Sequence, residues 1–129
     1  MRKRILFVED DQSLLFLYRR VFSRMGYDVR TAVDGDQALE VVREEPPDVV
    51  VLDVKLAGPK DGLQVLREIL KLRRIPAIIN TAYARFRETF ASRSADAYVL
   101  KSSDLTELSD TVDRLLTGRV LAEPLTATA

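Results

Sequence analysis

Residues 49–58, VVVLDVKLAG, decide the fold of this chain. Val49 to Leu52 form a continuous apolar run, which is typical of a strand buried on both faces of a parallel sheet. The run ends at a carboxylate, Asp53, and Lys55 follows two residues later. A charge at the end of the most hydrophobic segment indicates that the chain leaves the core there. We therefore expect Asp53 to be rigidly held and yet reachable.

The chain on either side of this run alternates between short apolar segments and helical spacing. Further strands are predicted at Ile5 to Val8, Asp28 to Ala32, Ala77 to Ile79 and Ala97 to Leu100. Helices are predicted around Leu14 to Met25, Ala38 to Val42, Leu63 to Leu70, Phe86 to Phe90 and Leu105 to Leu116. Expected helix starts are Asp34 or Asp36, Gly62 and Asp104, and expected ends are Gly26, Pro46-Pro47 and Gly118. A strand followed by a helix, repeated five times, predicts an α/β fold with helices on both faces of a parallel sheet.

The length and the net charge of the chain limit the number of domains and the kinds of binding partner that we expect. A chain of 129 residues suits one domain, which we expect to span residues 1–118, with residues 119–129 as a C-terminal tail or linker stub. The 20 basic and 20 acidic residues cancel, so no net charge favours binding to nucleic acid or to an anionic membrane. The first apolar run is too short for a signal peptide or a membrane span, which favours a cytoplasmic protein.

The absence of two residue types excludes several kinds of site. The sequence contains no cysteine and no histidine. Disulfides, thiolate nucleophiles, Ser-His-Asp catalysis and histidine-ligated zinc are therefore excluded for this chain. Any metal ion must be bound by oxygen atoms, which favours magnesium, calcium or manganese.

Polar residues follow four of the five predicted strands. They are Glu9-Asp10-Asp11 after the first, Asp53 after the third, Asn80-Thr81 after the fourth and Lys101-Ser102 after the fifth. Because the carboxyl ends of parallel strands meet at one edge, we expect these side chains to converge. Clustered carboxylates suit Mg²⁺, while a lysine and a threonine hydroxyl suit an anion. Each residue alone is more often a cap, a turn or a surface residue, but together they predict a pocket in which a carboxylate attacks a phosphoryl group.

The same motifs resemble a known family. ILFVEDD, VVVLD, the DG of KDGLQVL, IINTA and AYVLK together make residues 3–117 similar to the receiver domain of two-component response regulators. The resemblance implies a flavodoxin-like, five-stranded parallel sheet in the order 2-1-3-4-5. It also implies a signalling phosphoacceptor rather than an enzyme.

The resemblance implies roles for the acidic residues. Asp53 would accept a phosphoryl group from a histidine kinase or a phosphotransfer protein and form an acyl phosphate. Glu9, Asp10 and Asp53 would hold Mg²⁺, or Mn²⁺, together with the backbone carbonyl of Lys55. Asp11 matches a position that caps the first helix more often than it binds metal.

The resemblance also implies a conformational switch. Thr81 would sense the phosphoryl group, Lys101 would pair with it, and Tyr98 would turn inward when Thr81 moves. Ala82 matches the small residue that leaves the phosphoryl group accessible. The surface formed by the fourth helix, the fifth strand and the fifth helix would change, and it is the expected output and homodimer face.

Three departures from the family pattern carry expectations of their own. The loop from Asp53 to Gly62 is about one residue longer than usual, and the ammonium of Lys55 is expected to alter the lifetime of the acyl phosphate. Ser102 replaces the usual proline after Lys101, so we expect a trans peptide bond there, because a cis bond costs roughly 2.5–4 kcal/mol without proline. The segment between Thr81 and Lys101 is about two residues short, which predicts a stunted or irregular fourth helix.

Three other classes compete with this interpretation. A flavin-binding protein with the same sheet order would need a phosphate loop after the first strand, where this chain has an acidic triplet. An aspartyl phosphohydrolase usually has a second Asp two residues after the first, where this chain has Lys55. A non-phosphorylated interaction module would not need the combination of Glu9, Asp10, Asp53, Thr81 and Lys101.

Overall fold

A computed structural model describes residues 2–83 and 94–118. The strands are β1 (Arg4–Val8), β2 (Asp28–Ala32), β3 (Val49–Leu52), β4 (Ala77–Thr81) and β5 (Ala97–Leu100). They form one parallel sheet in the order β2-β1-β3-β4-β5, which confirms the predicted fold. The helices within the described ranges are α1 (Gln12–Arg24), α2 (Gly35–Glu44), α3 (Gly62–Leu72) and α4 (Thr106–Thr117).

The last helix, α4, is the fifth of the helices predicted from the sequence. The predicted fourth helix, around Phe86 and Phe90, lies outside the described residues, and so does the tail at 119–129. The expected irregularity of the predicted fourth helix therefore stays a prediction. Across residues 2–83 and 94–118, no helix is both long enough and apolar enough to cross a membrane.

The sheet separates two apolar clusters, and β3 contributes to both. Val50 and Leu52 belong to the cluster beneath α2 and α3, whereas Val49 and Val51 belong to the cluster beneath α1 and α4. None of the four is more than 2% exposed. The unbroken apolar run in the sequence is therefore explained by helices that cover both faces of the central strand.

Aspartate side chains begin three of the helices. Asp11 accepts hydrogen bonds from the backbone N–H groups of Ser13 and Leu14, and Asp34 caps α2. Asp61 caps α3 in a capping box with Gln64. These caps satisfy backbone N–H groups that have no partner inside the helix.

Two predicted boundaries were wrong. Asp104 is not the cap of the last helix: the N-cap residue is Leu105, and Asp104 accepts the N–H of Thr106 from one position earlier, as in a short turn. The strand β4 runs through Asn80 and Thr81 instead of ending at Ile79, because these residues pair with β5. The predicted strand was too short because the apolar run ends at Ile79 and the next two residues are polar.

Candidate functional site

Backbone hydrogen bonds of the sheet continue beyond the strands and position the site residues. The N–H of Glu9 donates to Ala32, the N–H of Asp53 donates to Val8, and the N–H of Lys101 donates to Thr81, at 3.0, 3.2 and 2.8 Å. Each residue directly follows a strand, so the strand pairing itself aligns the three side chains. They lie at the carboxyl edge of the sheet, where they were predicted to converge.

The ammonium of Lys101 joins two buried carboxylates. Its Nζ lies 2.7 Å from Oε1 of Glu9 and 2.7 Å from Oδ2 of Asp53. The side chains of Glu9 and Asp53 are only 4% and 8% exposed. Buried charges of one sign would repel each other strongly, and the lysine between them provides the compensating charge.

The pKa values of this group reflect burial and pairing. Burial opposes the charge of Lys101, but its hydrogen bonds to Asp53 and Glu9 outweigh that effect and raise the pKa of its ammonium. Burial raises the pKa of Glu9, and the hydrogen bond from Lys101 offsets part of the rise. Lys101 therefore stays protonated at neutral pH and holds a positive charge beside Asp53.

Two buried oxygen atoms of the site lack hydrogen-bond partners within the described part of the chain. They are Oδ1 of Asp53 and Oγ1 of Thr81. Asp53 is 7% exposed and Thr81 is fully buried. An unsatisfied buried oxygen costs free energy unless it serves a bound group. The two atoms belong to neighbouring strand ends and are suited to receive a ligand.

The remaining predicted metal ligands lie further out. Asp10 is exposed, and the N–H of Asp11 donates to Oε2 of Glu9 at 3.1 Å. Among residues 2–83 and 94–118, no three acidic side chains are grouped closely enough to hold a metal ion. The oxygen donors still suit Mg²⁺, which retains several waters and needs few protein ligands. The unpartnered Oδ1 of Asp53 is the donor that fits such an ion best.

Lys55 and Tyr98 both contact Tyr83, a residue for which no role was predicted from the sequence. Lys55 is exposed, and its Nζ lies 4.8 Å from the centroid of the Tyr83 ring. The hydroxyl of Tyr98 donates to the backbone carbonyl of Tyr83 at 2.6 Å, and Tyr98 is partly buried against the α2–α3 cluster. No spacing rule reveals these contacts, because they join the loop after β3, the loop after β4 and the strand β5.

Gly62 brings α3 against the backbone of Asp53. Its N–H donates to the carbonyl of Val54 at 2.7 Å. A Cβ atom at this position would overlap the carbonyl oxygen of Asp53 and lie 2.8 Å from its carbonyl carbon. The DG pair therefore does more than begin a helix, since only glycine permits this approach without a shift of the Asp53 backbone.

A buried polar pair lies behind the site. Nδ2 of Asn80 donates to the hydroxyl oxygen of Tyr18 at 3.0 Å, and both residues are 3% exposed. The ring of Tyr18 stacks on Phe7 with 4.9 Å between centroids. Burial raises the pKa of Tyr18. This bond links α1 to the strand that carries Thr81, and no feature of the sequence predicted it apart from the polar residue itself.

The peptide bond after Lys101 follows the expectation from Ser102. No cis peptide bond occurs within the described ranges, so the Lys101–Ser102 bond is trans. The loop after Asp53 contains Gly58 with φ of 92°, a conformation that glycine adopts readily. A backbone bridge between Asp34 and Ala57 ties this loop to the start of α2.

Comparisons with known proteins agree with this geometry. Residues 5–113 match the family model described as response regulator receiver domain. The chain is 34% identical over 119 residues to sporulation initiation phosphotransferase F of Bacillus subtilis, covering 90% of this chain and 95% of that protein.

Solved structures give the same result. The response regulator protein TrrA from Thermotoga maritima, in complex with Mg²⁺-BeF, has a TM-score of 0.84 and 36% identity, covering 88% of this chain and 99% of that chain. A structure of histidine kinase ThkA in complex with TrrA has a TM-score of 0.82 and 36% identity, covering 88% and 98%. The fold, the aligned strand ends and these matches lead to one conclusion: the chain belongs to the family of response regulator receiver domains.

Proposed function

We propose that Asp53 accepts a phosphoryl group and that this modification is the signal carried by the domain. The observation that supports the proposal best is the state of its carboxylate. One oxygen is bound by Lys101, and the other is buried without a partner among the described residues. The hydroxyl of Thr81, on the adjacent strand, is likewise buried and unpartnered there.

The chemistry follows from these groups. A carboxylate oxygen of Asp53 attacks the phosphorus atom, the bond between phosphorus and the donor's nitrogen breaks, and an acyl phosphate forms on Asp53. Lys101 remains charged and neutralises part of the added negative charge. The hydroxyl of Thr81 donates a hydrogen bond to a phosphoryl oxygen.

A divalent ion fits the same edge. Asp53, Asp10 and the backbone carbonyl of Lys55 would hold Mg²⁺, or Mn²⁺, with Glu9 beside them. When bound, such an ion neutralises charge on the phosphoryl oxygens during transfer. Glu9 already forms an ion pair with Lys101. Its contribution to ion binding would therefore be the negative charge that it adds beside Asp53.

The phosphoryl donor must be another molecule. The chain contains no histidine, so a phosphohistidine has to be supplied by a histidine kinase or a phosphotransfer protein. A relative of this chain is named as a phosphotransferase, and a similar response regulator has been solved with a histidine kinase. Both support a partner of this class.

The response to phosphorylation is a change in packing near β5. Thr81 and Lys101 satisfy the new oxygens by moving toward them, and the position of Tyr98 changes with Thr81. The surface that includes β5 and α4 then differs between the two states. This surface is the proposed site of output and of homodimer formation.

The direct test is incubation with acetyl phosphate and Mg²⁺, followed by intact mass measurement. We expect one phosphate on the wild type, stable in acid and labile in base, and none on Asp53→Asn. Asp36→Asn is the matched control, because its side chain is 84% exposed and lies outside the site. Failure of the wild type to gain phosphate, or equal labelling of Asp53→Asn, would refute the assignment.

A further inference from the structure

We propose that Tyr18 is a positioning residue that keeps the side-chain amide of Asn80 away from the carboxylate of Asp53. By accepting a hydrogen bond from that amide, Tyr18 leaves Oδ1 of Asp53 free for phosphoryl transfer. The effect on transfer rests on the proposed phosphorylation of Asp53. The orientation of the amide is a property of the unphosphorylated protein.

Asn80 and Asp53 occupy neighbouring places on the same face of the sheet. Val51 pairs with Ile78 in the β3–β4 ladder, and both belong to the apolar cluster beneath α1 and α4. Asp53 and Asn80 lie two residues further along the two chains, so their side chains leave the sheet on that face too. Neighbouring strands are about 4.8 Å apart. The amide of Asn80 therefore starts within reach of the Asp53 carboxylate.

Two oxygen atoms are candidates to accept a hydrogen bond from the Asn80 amide. Nδ2 of Asn80 donates to the hydroxyl of Tyr18 at 3.0 Å. The other candidate is Oδ1 of Asp53, which is buried and has no hydrogen-bond partner in the described part of the chain. A carboxylate oxygen is a stronger acceptor than a neutral hydroxyl. Without the hydroxyl of Tyr18, the amide therefore turns to Asp53.

Packing fixes the position of the Tyr18 hydroxyl. The ring of Tyr18 stacks on Phe7 with 4.9 Å between centroids, and the residue is 3% exposed. A buried hydroxyl and a buried amide each cost free energy when they lack a partner, and here each satisfies the other. The bond between Tyr18 and Asn80 therefore satisfies two buried groups and leaves the carboxylate of Asp53 open.

A misplaced amide would slow phosphoryl transfer. Oδ2 of Asp53 already accepts a hydrogen bond from Lys101. If Asn80 were bound to Oδ1, neither carboxylate oxygen could bind phosphorus or a metal ion without first losing a hydrogen bond. A hydrogen bond to a charged group is strong enough to slow such a step about tenfold.

The rate of phosphorylation by acetyl phosphate with Mg²⁺ tests the role of Tyr18. In this reaction a carboxylate oxygen binds phosphorus, the bond between phosphorus and the acetate oxygen breaks, and acetate leaves. Tyr18→Phe should lower the rate about tenfold, as followed by intact mass over time. In the double variant Tyr18→Phe, Asn80→Leu, the competing amide is gone, so the rate should return to the wild-type range.

Tyr27→Phe is the matched control. Tyr27 lies directly before β2, at the opposite edge of the sheet, and its ring packs against Phe22. This variant also removes a tyrosine hydroxyl from the border of the same apolar cluster, and it should keep the wild-type rate. A loss in Tyr27→Phe equal to that in Tyr18→Phe would contradict the proposal.

The double variant separates positioning from a purely structural role. If the bond only anchored β4 to α1, removal of both partners would leave the rate as low as in Tyr18→Phe. A rate that is unchanged in Tyr18→Phe, or that is not restored by Asn80→Leu, would overturn the proposal. Urea unfolding of each variant establishes that the rates are compared between folded proteins.

The orientation of the amide is tested without phosphorylation. In a crystal structure of Tyr18→Phe, Nδ2 of Asn80 should lie about 3 Å from Oδ1 of Asp53. An amide that still points toward residue 18 would show that Tyr18 does not hold it away from Asp53. If the wild type gains no phosphate, the phosphoacceptor role of Asp53 fails, but this structure still decides the role of Tyr18.

Discussion

Replacing Lys101 with methionine should destabilise the domain and make its stability depend on pH. The substitution keeps the length of the side chain but leaves the carboxylates of Glu9 and Asp53 buried without their shared cation. Removing one partner of a buried ion pair typically costs about 3–5 kcal/mol. The Lys101 side chain is 20% exposed, so we expect the lower end, about 3 kcal/mol at pH 7.5.

The dependence on pH follows from Glu9. Its pKa is already raised by burial in the presence of Lys101, and loss of the ammonium raises it further. A carboxyl group with a raised pKa binds its proton more tightly in the folded state, so lowering the pH stabilises the fold. The difference between Lys101→Met and wild type should therefore shrink as the pH falls from about 7.5 to about 5.

Urea unfolding at both pH values measures this difference. Lys60→Met is the matched control, because Lys60 also contacts two carboxylates, Glu68 at 2.9 Å and Asp36 at 3.6 Å, but on the surface. We expect a much smaller loss for this variant, because surface ion pairs contribute little. An equal loss for the two lysine variants, or a Lys101→Met loss that is the same at both pH values, would contradict the reasoning.

Three further predictions concern other features of the site. Gly62→Ala should cost about 3 kcal/mol in urea unfolding, because its Cβ meets main-chain atoms of Asp53, whereas Gly35→Ala should cost less, about 1–2 kcal/mol, because its Cβ meets a side-chain methyl group of Val65 instead of main-chain atoms. Thr81→Ala should still be phosphorylated to nearly the wild-type level by mass measurement, but amide NMR shifts along β5 and α4 should respond less to phosphorylation; a normal response would exclude the proposed coupling. The raised pKa of Lys101 adds stability that is complete below its ordinary pKa of 10.5 and lost as the pH rises through the folded value, so wild-type stability should fall more steeply above about pH 10.5 than that of Lys101→Met.

The sequence predicted the sheet and the polar side chains that meet at its carboxyl edge, because both depend on local patterns. Apolar runs located four of the strands, an alternating pattern located β2, and the position of Glu9, Asp53 and Lys101 directly after three strands was enough to bring their side chains together. These side chains meet because parallel pairing aligns the residues that directly follow each strand at one edge of the sheet.

The contacts of long side chains could not be predicted in the same way. The ring of Tyr83 contacts Lys55 in the loop after β3, and its backbone carbonyl accepts a hydrogen bond from Tyr98 on β5. Asn80 on β4 donates a hydrogen bond to Tyr18 on α1. These contacts depend on rotamers and on the spacing of packed elements, neither of which is encoded by local periodicity. Leu105 replaced Asp104 as a cap for a related reason, because an aspartate can satisfy a nearby backbone N–H from more than one position.

The hydrogen bonds that align Glu9, Asp53 and Lys101 belong to the backbone of the sheet. The alignment of these three residues therefore does not depend on which side chains cover the outer surfaces of the helices. Substitutions on those surfaces should therefore leave the alignment of these three residues unchanged. The resting geometry of the site and the composition of the outer helix surfaces can therefore vary separately, even though phosphorylation of Asp53 is proposed to couple the site to the surface that includes β5 and α4.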